Sequence, residues 1–403
     1  MTGIDIVITG RGVVSALGHD IVHFENALFA GECAISSIED INDELVFKTG
    51  APIRDFDASC VIDKREQRLM DPFSQFGVCG ARQALDEAQF DCEQVAPTRL
   101  GVVFGTACGG VHTFESQYNR LYKKGQRKVL PMTVPMIMGS APSSHVAKMC
   151  QARGPVFSVT SACASFNHAL SCAISLLRDN MADMVVCGGT DANFAHGNLK
   201  GWEALHAVSP DTCRPFSLDR KGLSLGEGAG VFVLERRKDA LARGVKPLAS
   251  VLSVGMSSDA GNLVAPDARG MSAAMENAVN GAGISLCDID YINAHGTGTE
   301  ANDRTESQAI RNLFGDLTDD IAVSSTKSQL GHALGASGAF ELLATLSAME
   351  IGKISPTVNF TTPDPNCPLD VVANKSRDAD VQVALSNSFA FGGLNASVLV
   401  AKL

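Results

Sequence analysis

The sequence predicts an α/β fold with buried sheets, because short β-rich apolar runs alternate with Ala-rich segments of helical period. In the first half, five runs predict strands: 4–10, 99–106, 156–162, 181–189 and 229–235. Segments 73–88 and 164–180 predict helices with small and apolar residues on one face. Such alternation is typical of sheets covered by helices. Segments 38–70 and 107–150 interrupt the pattern, and we expect them to form a cap with lining and partner contacts.

The second half repeats the scheme. It has predicted strands at 247–255, 290–296 and 321–327, predicted helices at 271–284, 306–315 and 336–351, and two closing strands. The stretches 223–237 and 389–403 each place a glycine-rich turn before a strand of similar composition. This echo predicts a tandem duplication with halves of 1–245 and 246–403.

Composition excludes several classes of protein. The chain has 403 residues, 45% hydrophobic content and a net charge of −11, which indicates a globular protein and argues against nucleic-acid binding. No apolar run reaches the length of a membrane span, and the N-terminus lacks a signal-peptide pattern, so we expect a cytoplasmic protein. Twelve scattered cysteines without a CxxC pair predict reduced thiols rather than disulfides or a metal site.

Four polar or glycine-rich clusters follow predicted strands: 161–165, 293–299, 324–341 and 387–397. Ligands bind in the crevice beyond the carboxyl ends of strands in open α/β folds. Each cluster offers a different functional group, so together they predict one composite site.

Cys163 is the candidate nucleophile of this site. It precedes the predicted helix at 164–180, where the helix dipole and free backbone N–H groups are expected to lower the pKa of its thiol. The same N–H groups could bind an oxyanion. A core cysteine packed under the turn is the alternative interpretation.

His295 and His332 both lie in loops of small residues, which suits a general base or a hydrogen-bond donor to a developing enolate. A metal held by these histidines and Cys163 lacks a local spacing signature, and we expect none. Lys327, in the loop of His332, is placed to pair with Glu341. The Gly392 and Gly393 pair has no GxGxxG context, which argues against nucleotide binding.

Together VTSACAS, NAHGTGT, STKSQLGHALGASG and NSFAFGGLNA closely resemble the elongating β-ketoacyl-acyl-carrier-protein synthases, condensing enzymes of the thiolase superfamily. The resemblance covers nearly the whole chain. Residues 201–230 and 293–303 are most similar to nodulation protein E-like synthases within that family. The resemblance implies a thiolase fold of two duplicated halves in a five-layer αβαβα sandwich. It also implies condensation of malonyl-carrier protein with an acyl-cysteine, giving a 3-oxoacyl thioester.

The resemblance implies roles for individual residues. The catalytic set would be Cys163, His295, His332, Lys327 and Glu341. The backbone N–H groups of Cys163 and Phe391 would form the oxyanion hole, with Phe391 as a mobile gate. Substrate-binding residues would be Thr297, Thr299, Cys108, Phe166, Phe389, Gly392 and Gly393. Phe166 and Cys108 depart from the family pattern, and we expect them to reshape the floor and depth of the acyl pocket.

The resemblance implies acyl-carrier protein as the partner, which delivers the phosphopantetheine arm, so no separate cofactor is expected. Its docking residues would be Lys64, Arg65, Arg68, Lys123, Lys124, Arg127 and Lys128. A homodimer, or a heterodimer with a chain-length factor, is expected. Three alternatives stay open at this point: a thiolase-type acyltransferase, a cysteine hydrolase and a non-catalytic partner that resembles a chain-length factor.

Overall fold

The computed structural model describes residues 4–403, so the first three residues of the expected first half lie outside the described residues. Its strands are β1 Ile6–Ser15, β2 Ser36–Ser37, β3 Thr49–Gly50, β4 Leu100–Gly105, β5 Val156–Val159, β6 Met184–Asp191, β7 Gly228–Arg236, β8 Ala249–Ser258, β9 Tyr291–Asn293, β10 Ala322–Ser324, β11 Lys353–Ile354, β12 Asp370–Val371, β13 Arg377–Asp378, β14 Val383–Ala390 and β15 Leu394–Ala401. Its α-helices are α1 Ile21–Ala30, α2 Lys64–Gln67, α3 Pro72–Glu87, α4 Val111–Tyr122, α5 Thr133–Ile137, α6 Ala141–Cys150, α7 Ser165–Arg178, α8 His196–Ala204, α9 Arg237–Ala242, α10 Ala268–Ala282, α11 Glu300–Phe314, α12 Lys327–Leu330 and α13 Ser337–Ile351.

The two halves of the chain build sheets with the same strand order. In the first half the order is β5-β4-β6-β7-β1, and in the second it is β10-β9-β14-β15-β8. Both orders place the third, second, fourth, fifth and first core strands of their half side by side. Antiparallel pairing of β1 with β8, with Ile6 opposite Val251, joins the two sheets edge to edge. A duplicated chain produces this kind of repetition.

Helices cover both sheets and separate them. α3 and α6 pack on the outer face of the first sheet, and α10 packs on the second with α11 beside it. α7 and α13 contact strands of both sheets and form the middle layer. Every residue of α13 from Ser337 to Met349 is buried, as expected for a helix with apolar neighbours on all sides.

The strands that lead to the predicted clusters are shorter than the sequence indicates. The strand predicted at 290–296 pairs only over Tyr291–Asn293, and that at 321–327 only over Ala322–Ser324. Both segments leave the sheet where the parallel pairing between β9 and β10 ends, at Asn293 opposite Ser324. The residues that follow are therefore free to turn into a common crevice.

The segment 107–150 contains α4, α5 and α6 and carries an exposed apolar surface. Phe114, Tyr118 and Tyr122 lie along one face of α4, with a ring-centroid distance of 4.2 Å for the first pair and 6.0 Å for the second. All three side chains are exposed.

Within residues 4–403, no helix combines the length and the apolar character that crossing a bilayer would require.

Candidate active site

Cys163 lies in the tight turn between β5 and α7. Ala162, directly before it, adopts a φ of 49°, a left-handed conformation that is strained for alanine. Ser165 holds this turn, because its hydroxyl donates to the carbonyl of Ala162 at 2.6 Å and accepts the N–H of Ser161 at 2.9 Å. The turn places Cys163 at the wall of a cavity, although its side chain is only 6% exposed.

Two histidines from the second half approach this thiol. Nε2 of His332 lies 3.0 Å from Sγ of Cys163, and Nδ1 of the same ring lies 2.8 Å from the hydroxyl oxygen of Ser337. The rings of His295 and His332 meet edge to face with centroids 5.3 Å apart. One ligand atom from each of Cys163, His295 and His332 falls within 4.8 Å of the others. The structure therefore brings the three predicted residues together in one buried cluster.

The expectation of a lowered thiol pKa at Cys163 is wrong for this conformation. Burial raises the pKa of Cys163 to about 12, against the opposing influence of the Lys327 ammonium and the Phe391 backbone N–H. The desolvation of a thiolate outweighs a partial helix charge when the site excludes water. Burial and the Lys327 charge also hold the pKa values of His295 and His332 well below the ordinary value, so both imidazoles are neutral at pH 7.

Lys327 is itself almost fully buried and links the two histidine loops. Its ammonium group donates to the backbone carbonyl of His295 at 2.6 Å and forms an ion pair with the Glu341 carboxylate. Burial raises the pKa of Glu341, while the adjacent ammonium opposes that shift. The pair fixes the His295 loop against α13 and leaves a positive potential beside both rings.

Sequence reasoning missed Glu306, which holds the His295 loop from the other side. Its carboxylate accepts the backbone N–H groups of His295 and Gly296, each at 2.8 Å. Burial raises the pKa of Glu306 to about 7. The signal that could have identified Glu306 is its position, eleven residues after His295 and on the buried face of α11. Ser337 was also missed, although it belongs to the motif that contains His332.

Asp191 is a second missed carboxylate, and it joins two walls of the site. Its oxygens accept the Thr106 hydroxyl at 2.7 Å, the Cys108 N–H at 3.0 Å and the Gly335 N–H at 2.8 Å. Burial raises the pKa of Asp191 to about 6. A Cβ at Gly335 would lie 2.6 Å from this carboxylate, so the turn after His332 requires glycine there.

The turn between β14 and β15 brings Phe391 to the mouth of the cavity. Its backbone N–H faces the thiol of Cys163. Gly392 and Gly393 have φ values of 87° and 67°, which side chains rarely adopt. The N–H of Gly392 donates to the carbonyl of Leu263 at 2.7 Å, which ties this turn to the neighbouring loop. The Phe391 side chain is 38% exposed.

The cavity beside Cys163 has a volume of about 60 Å³. Of the predicted substrate-binding residues, Thr297, Thr299, Phe389 and Gly393 line it. A pocket that holds an organic ligand commonly measures ~300–1,000 Å³, so this one is closed to a pantetheine thioester. Trp202, another residue that sequence reasoning missed, closes the mouth together with Phe391 and the loop around Leu263.

Phe166 does not line this cavity. Its ring is fully buried and packs on Phe232, with centroids 5.4 Å apart, in the core between the two sheets. Gly105 and Gly189 on the adjoining strands make room, because a Cβ at Gly189 would lie 2.8 Å from that of Phe166. Cys108 does not line the cavity either; it packs on the apolar cluster that contains Cys163.

The seven predicted docking residues lie in two places, on and just after α2 and after α4. All seven side chains are exposed. Across residues 4–403, none of these seven forms an ion pair with an acidic side chain. Their charges are therefore available to an acidic partner.

The fold and the cluster of one thiol and two neutral imidazoles define a condensing acyltransferase of the thiolase superfamily. Residues 4–240 match the family model of the Beta-ketoacyl synthase, N-terminal domain, and residues 248–361 match that of the Beta-ketoacyl synthase, C-terminal domain. The chain therefore belongs to the β-ketoacyl synthase family, whose members catalyse condensation in fatty acid or polyketide synthesis. The resemblance expected from the sequence motifs is confirmed.

Individual relatives agree over the full length. The chain is 43% identical over 394 residues to Nodulation protein E of Rhizobium sp. (strain N33), covering 97% of each. It is 38% identical over 408 residues to 3-oxoacyl-[acyl-carrier-protein] synthase 2 of Staphylococcus aureus (strain MRSA252), covering 99% of this chain and 98% of the relative. The solved structure of the ishigamide ketosynthase/chain length factor superposes with a TM-score of 0.96 at 33% identity, covering 100% of both chains. The expected thiolase fold is confirmed.

Proposed function

We propose that this protein condenses malonyl-acyl-carrier protein with an acyl group bound as a thioester to Cys163, releasing CO₂ and a 3-oxoacyl-carrier protein. The observation that carries this proposal is the 3.0 Å contact between His332 Nε2 and Cys163 Sγ, with His295 in the same buried cluster. The thiol accepts the acyl group with His332 as its proton acceptor, and both imidazoles serve the second half-reaction. The cluster thus holds the groups that both half-reactions need.

In acyl transfer, the sulfur of Cys163 attacks the thioester carbonyl of the acyl-carrier protein. Because burial raises the pKa of the thiol to about 12, its proton moves to Nε2 of His332 as the carbon–sulfur bond forms. The backbone N–H groups of Cys163 and Phe391 stabilise the oxyanion. Collapse of the tetrahedral intermediate expels the pantetheine thiolate, which takes the proton from His332.

In condensation, the malonyl thioester occupies the cavity and loses CO₂, leaving an enolate. Neutral His295 and His332 donate N–H hydrogen bonds to its oxygen. Burial and the nearby Lys327 ammonium lower the pKa of both rings and keep them unprotonated, and the ammonium also stabilises the negative charge. The Ser337 hydroxyl supports either tautomer of His332, because it both donates and accepts hydrogen bonds. The enolate carbon attacks the acyl-cysteine carbonyl, and the Cys163 thiolate leaves and takes up one proton.

The substrate arm requires the mouth to open. We assign Phe391 as the gate, since the closed cavity of about 60 Å³ admits no acyl thioester and the turn around Phe391 contains two glycines. Thr297 and Thr299 line the mouth with hydroxyl oxygens 2.9 Å apart, which suits hydrogen bonds to the amides of the pantetheine arm. The proposed reaction uses no metal and no cofactor beyond the arm on the carrier protein.

The partner in this proposal is an acidic acyl-carrier protein. The seven basic residues predicted for docking support it, because they are exposed on a chain of net charge −11 and have no acidic ion-pair partner among residues 4–403. Opposite charge favours encounter between carrier and enzyme. Acyl-carrier proteins of different acyl length would identify the acyl chain that the enzyme prefers.

We further propose that the protein forms a homodimer, with a heterodimer of the ketosynthase and chain-length-factor type as the alternative. β5 lies at the end of the large sheet, and its residues Val156–Val159 are all half-buried. An edge strand with unpaired backbone groups is a site for strand addition. The exposed aromatic face of α4 supplies apolar area in the same half.

The proposed division of the chain into halves of 1–245 and 246–403 is supported by their shared strand order. The proposed location of the protein is the cytoplasm.

Intact-protein mass spectrometry tests the reaction. The protein is mixed with acyl-carrier proteins of different acyl length and then with malonyl-carrier protein. We expect the mass of one acyl group on Cys163 and, after the second addition, a product longer by two carbons. Cys163→Ser should remain unacylated, while Cys92→Ser, at an exposed cysteine outside the site, should behave like the wild type. An unmodified wild-type protein with every acyl length would contradict the proposal.

A further inference from the structure

Phe391 stacks on Trp202, the single tryptophan of the chain. The ring centroids lie 6.1 Å apart, and the ring planes are inclined by 23°. Trp202 is half-buried in the apolar cluster around Cys163 and lines the cavity, whereas Phe391 is 38% exposed. Thus the gate side chain rests on a more deeply embedded ring.

The two partners of this stack differ in how firmly they are held. α8, which carries Trp202, is tied to the cap: the side chains of His196 and Asn42 are hydrogen-bonded at 2.7 Å, and the N–H of Gly197 donates to Glu115 at 2.6 Å. Phe391 instead precedes two glycines in a three-residue turn between β14 and β15. The hydrogen bonds of this turn go to another loop, because the Gly392 N–H donates to the Leu263 carbonyl at 2.7 Å and the Gly393 carbonyl accepts the Asp259 N–H at 2.9 Å. Trp202, on a helix tied to the cap, is therefore the more firmly held partner, and Phe391 is the more adjustable one.

We propose that Trp202 is a positioning residue that holds Phe391 in the closed conformation, with the Phe391 backbone N–H facing Cys163. This inference rests on the gate assigned to Phe391 in the proposed function. Aromatic pairs of this kind shift an equilibrium by about 2- to 10-fold beyond their burial. Loss of the stack therefore opens the mouth more often and leaves the oxyanion donor in place less often.

A double-mutant cycle separates this role from a simple change in cavity size. Alkylation of Cys163 by N-ethylmaleimide is followed by peptide mass spectrometry in the wild type, Trp202→Leu, Phe391→Leu and the double variant. We expect each single variant to react about 2- to 10-fold faster, with little further gain in the double variant, because both remove the same contact. Rates that multiply would overturn the proposal, since two independent enlargements of the mouth act in that way.

Two further variants complete the test. Trp202→Phe keeps an aromatic ring and should restore most of the wild-type alkylation rate and of the kcat for acyl transfer; it also serves if Trp202→Leu folds poorly. Leu205→Ala, at an exposed position just after α8, should leave both unchanged. In Phe391→Leu, the emission of Trp202 should change as the stack is lost. Equal alkylation of the wild type, Trp202→Leu and Trp202→Phe would overturn the inference.

Alkylation needs no carrier protein, so the double-mutant cycle measures the opening of the Phe391 gate independently of the condensation reaction. A wild-type protein that no acyl-carrier protein acylates would contradict the proposed function while leaving the cycle interpretable. A wild type that condenses normally, with additive effects at Trp202 and Phe391, would contradict only the positioning role.

Discussion

The ionisation of Cys163 can be tested by varying pH in the absence of substrate. Burial raises the pKa of this thiol to about 12, whereas an unperturbed thiol has a pKa of about 8.5. At pH 7.5 the thiolate fractions are about 10⁻⁴·⁵ and about 10⁻¹, a difference of about 3,000-fold. A more basic thiolate is also a better nucleophile, with a Brønsted slope of about 0.4–0.5, which recovers about 30- to 60-fold. We therefore expect Cys163 to react about 10²-fold more slowly than N-acetylcysteine.

The assay follows carbamidomethylation of the Cys163 peptide by iodoacetamide from pH 7 to 9.5. A raised pKa keeps the thiol neutral to higher pH, so the rate should increase about tenfold per pH unit across the whole range without a plateau. Steric hindrance alone would also slow the reaction, but its pH profile would level off above the ordinary thiol pKa. Cys163→Ser identifies the peptide signal. A plateau with a midpoint at or below about 8.5 would refute the reasoning and restore the helix-dipole expectation.

Three further outcomes follow from the site and the core. His295→Ala should retain acylation of Cys163 better than condensation, because its ring acts only on the enolate, whereas His332→Ala should lose both steps, because its Nε2 also accepts the Cys163 proton; single-turnover mass spectrometry separates the two steps. Lys327→Met should lower the free energy of unfolding by about 3–5 kcal/mol, because it leaves the Glu341 carboxylate buried without its ion-pair partner; urea unfolding measures this loss. Phe166→Ala should cost about 3–5 kcal/mol of stability without changing product length, because its ring lies in the core between the sheets.

Each of these has a control and a contradicting outcome. Equal loss of acylation and condensation in His295→Ala, or full acylation of Cys163 in His332→Ala, would refute the division of roles. Lys327→Met with Glu341→Leu should recover most of the stability but not condensation, and Lys246→Met, at an exposed lysine, should leave unfolding unchanged. A shift in product length at unaltered stability would return Phe166 to the acyl pocket.

Patterns that lie close together in the sequence predicted the fold class and the identity of the reacting groups. Strand–helix alternation follows from the spacing of apolar residues, and it was sufficient for the α/β class. His295 and His332 were predictable as neighbours because each follows a strand, and the parallel strands β9 and β10 end at one edge of the second sheet. Their contact with Cys163, which follows β5 of the first sheet, depends on how the two halves pack. Their family resemblance then indicated the reaction.

Tertiary packing decided what local patterns could not. The helix position of Cys163 predicted a lowered pKa, but burial by segments from both halves raises it to about 12. Phe166 follows Cys163 by three residues, yet its ring packs on Phe232 in the core, where Gly105 and Gly189 allow the start of α7 to approach the strands closely. Asp191 and Trp202 carry no local signal, because their partners lie far away in the chain. Motifs and periodicity depend on residues that are close in the sequence. Desolvation and side-chain contacts depend on all the residues that the fold brings together, including those far apart in the chain.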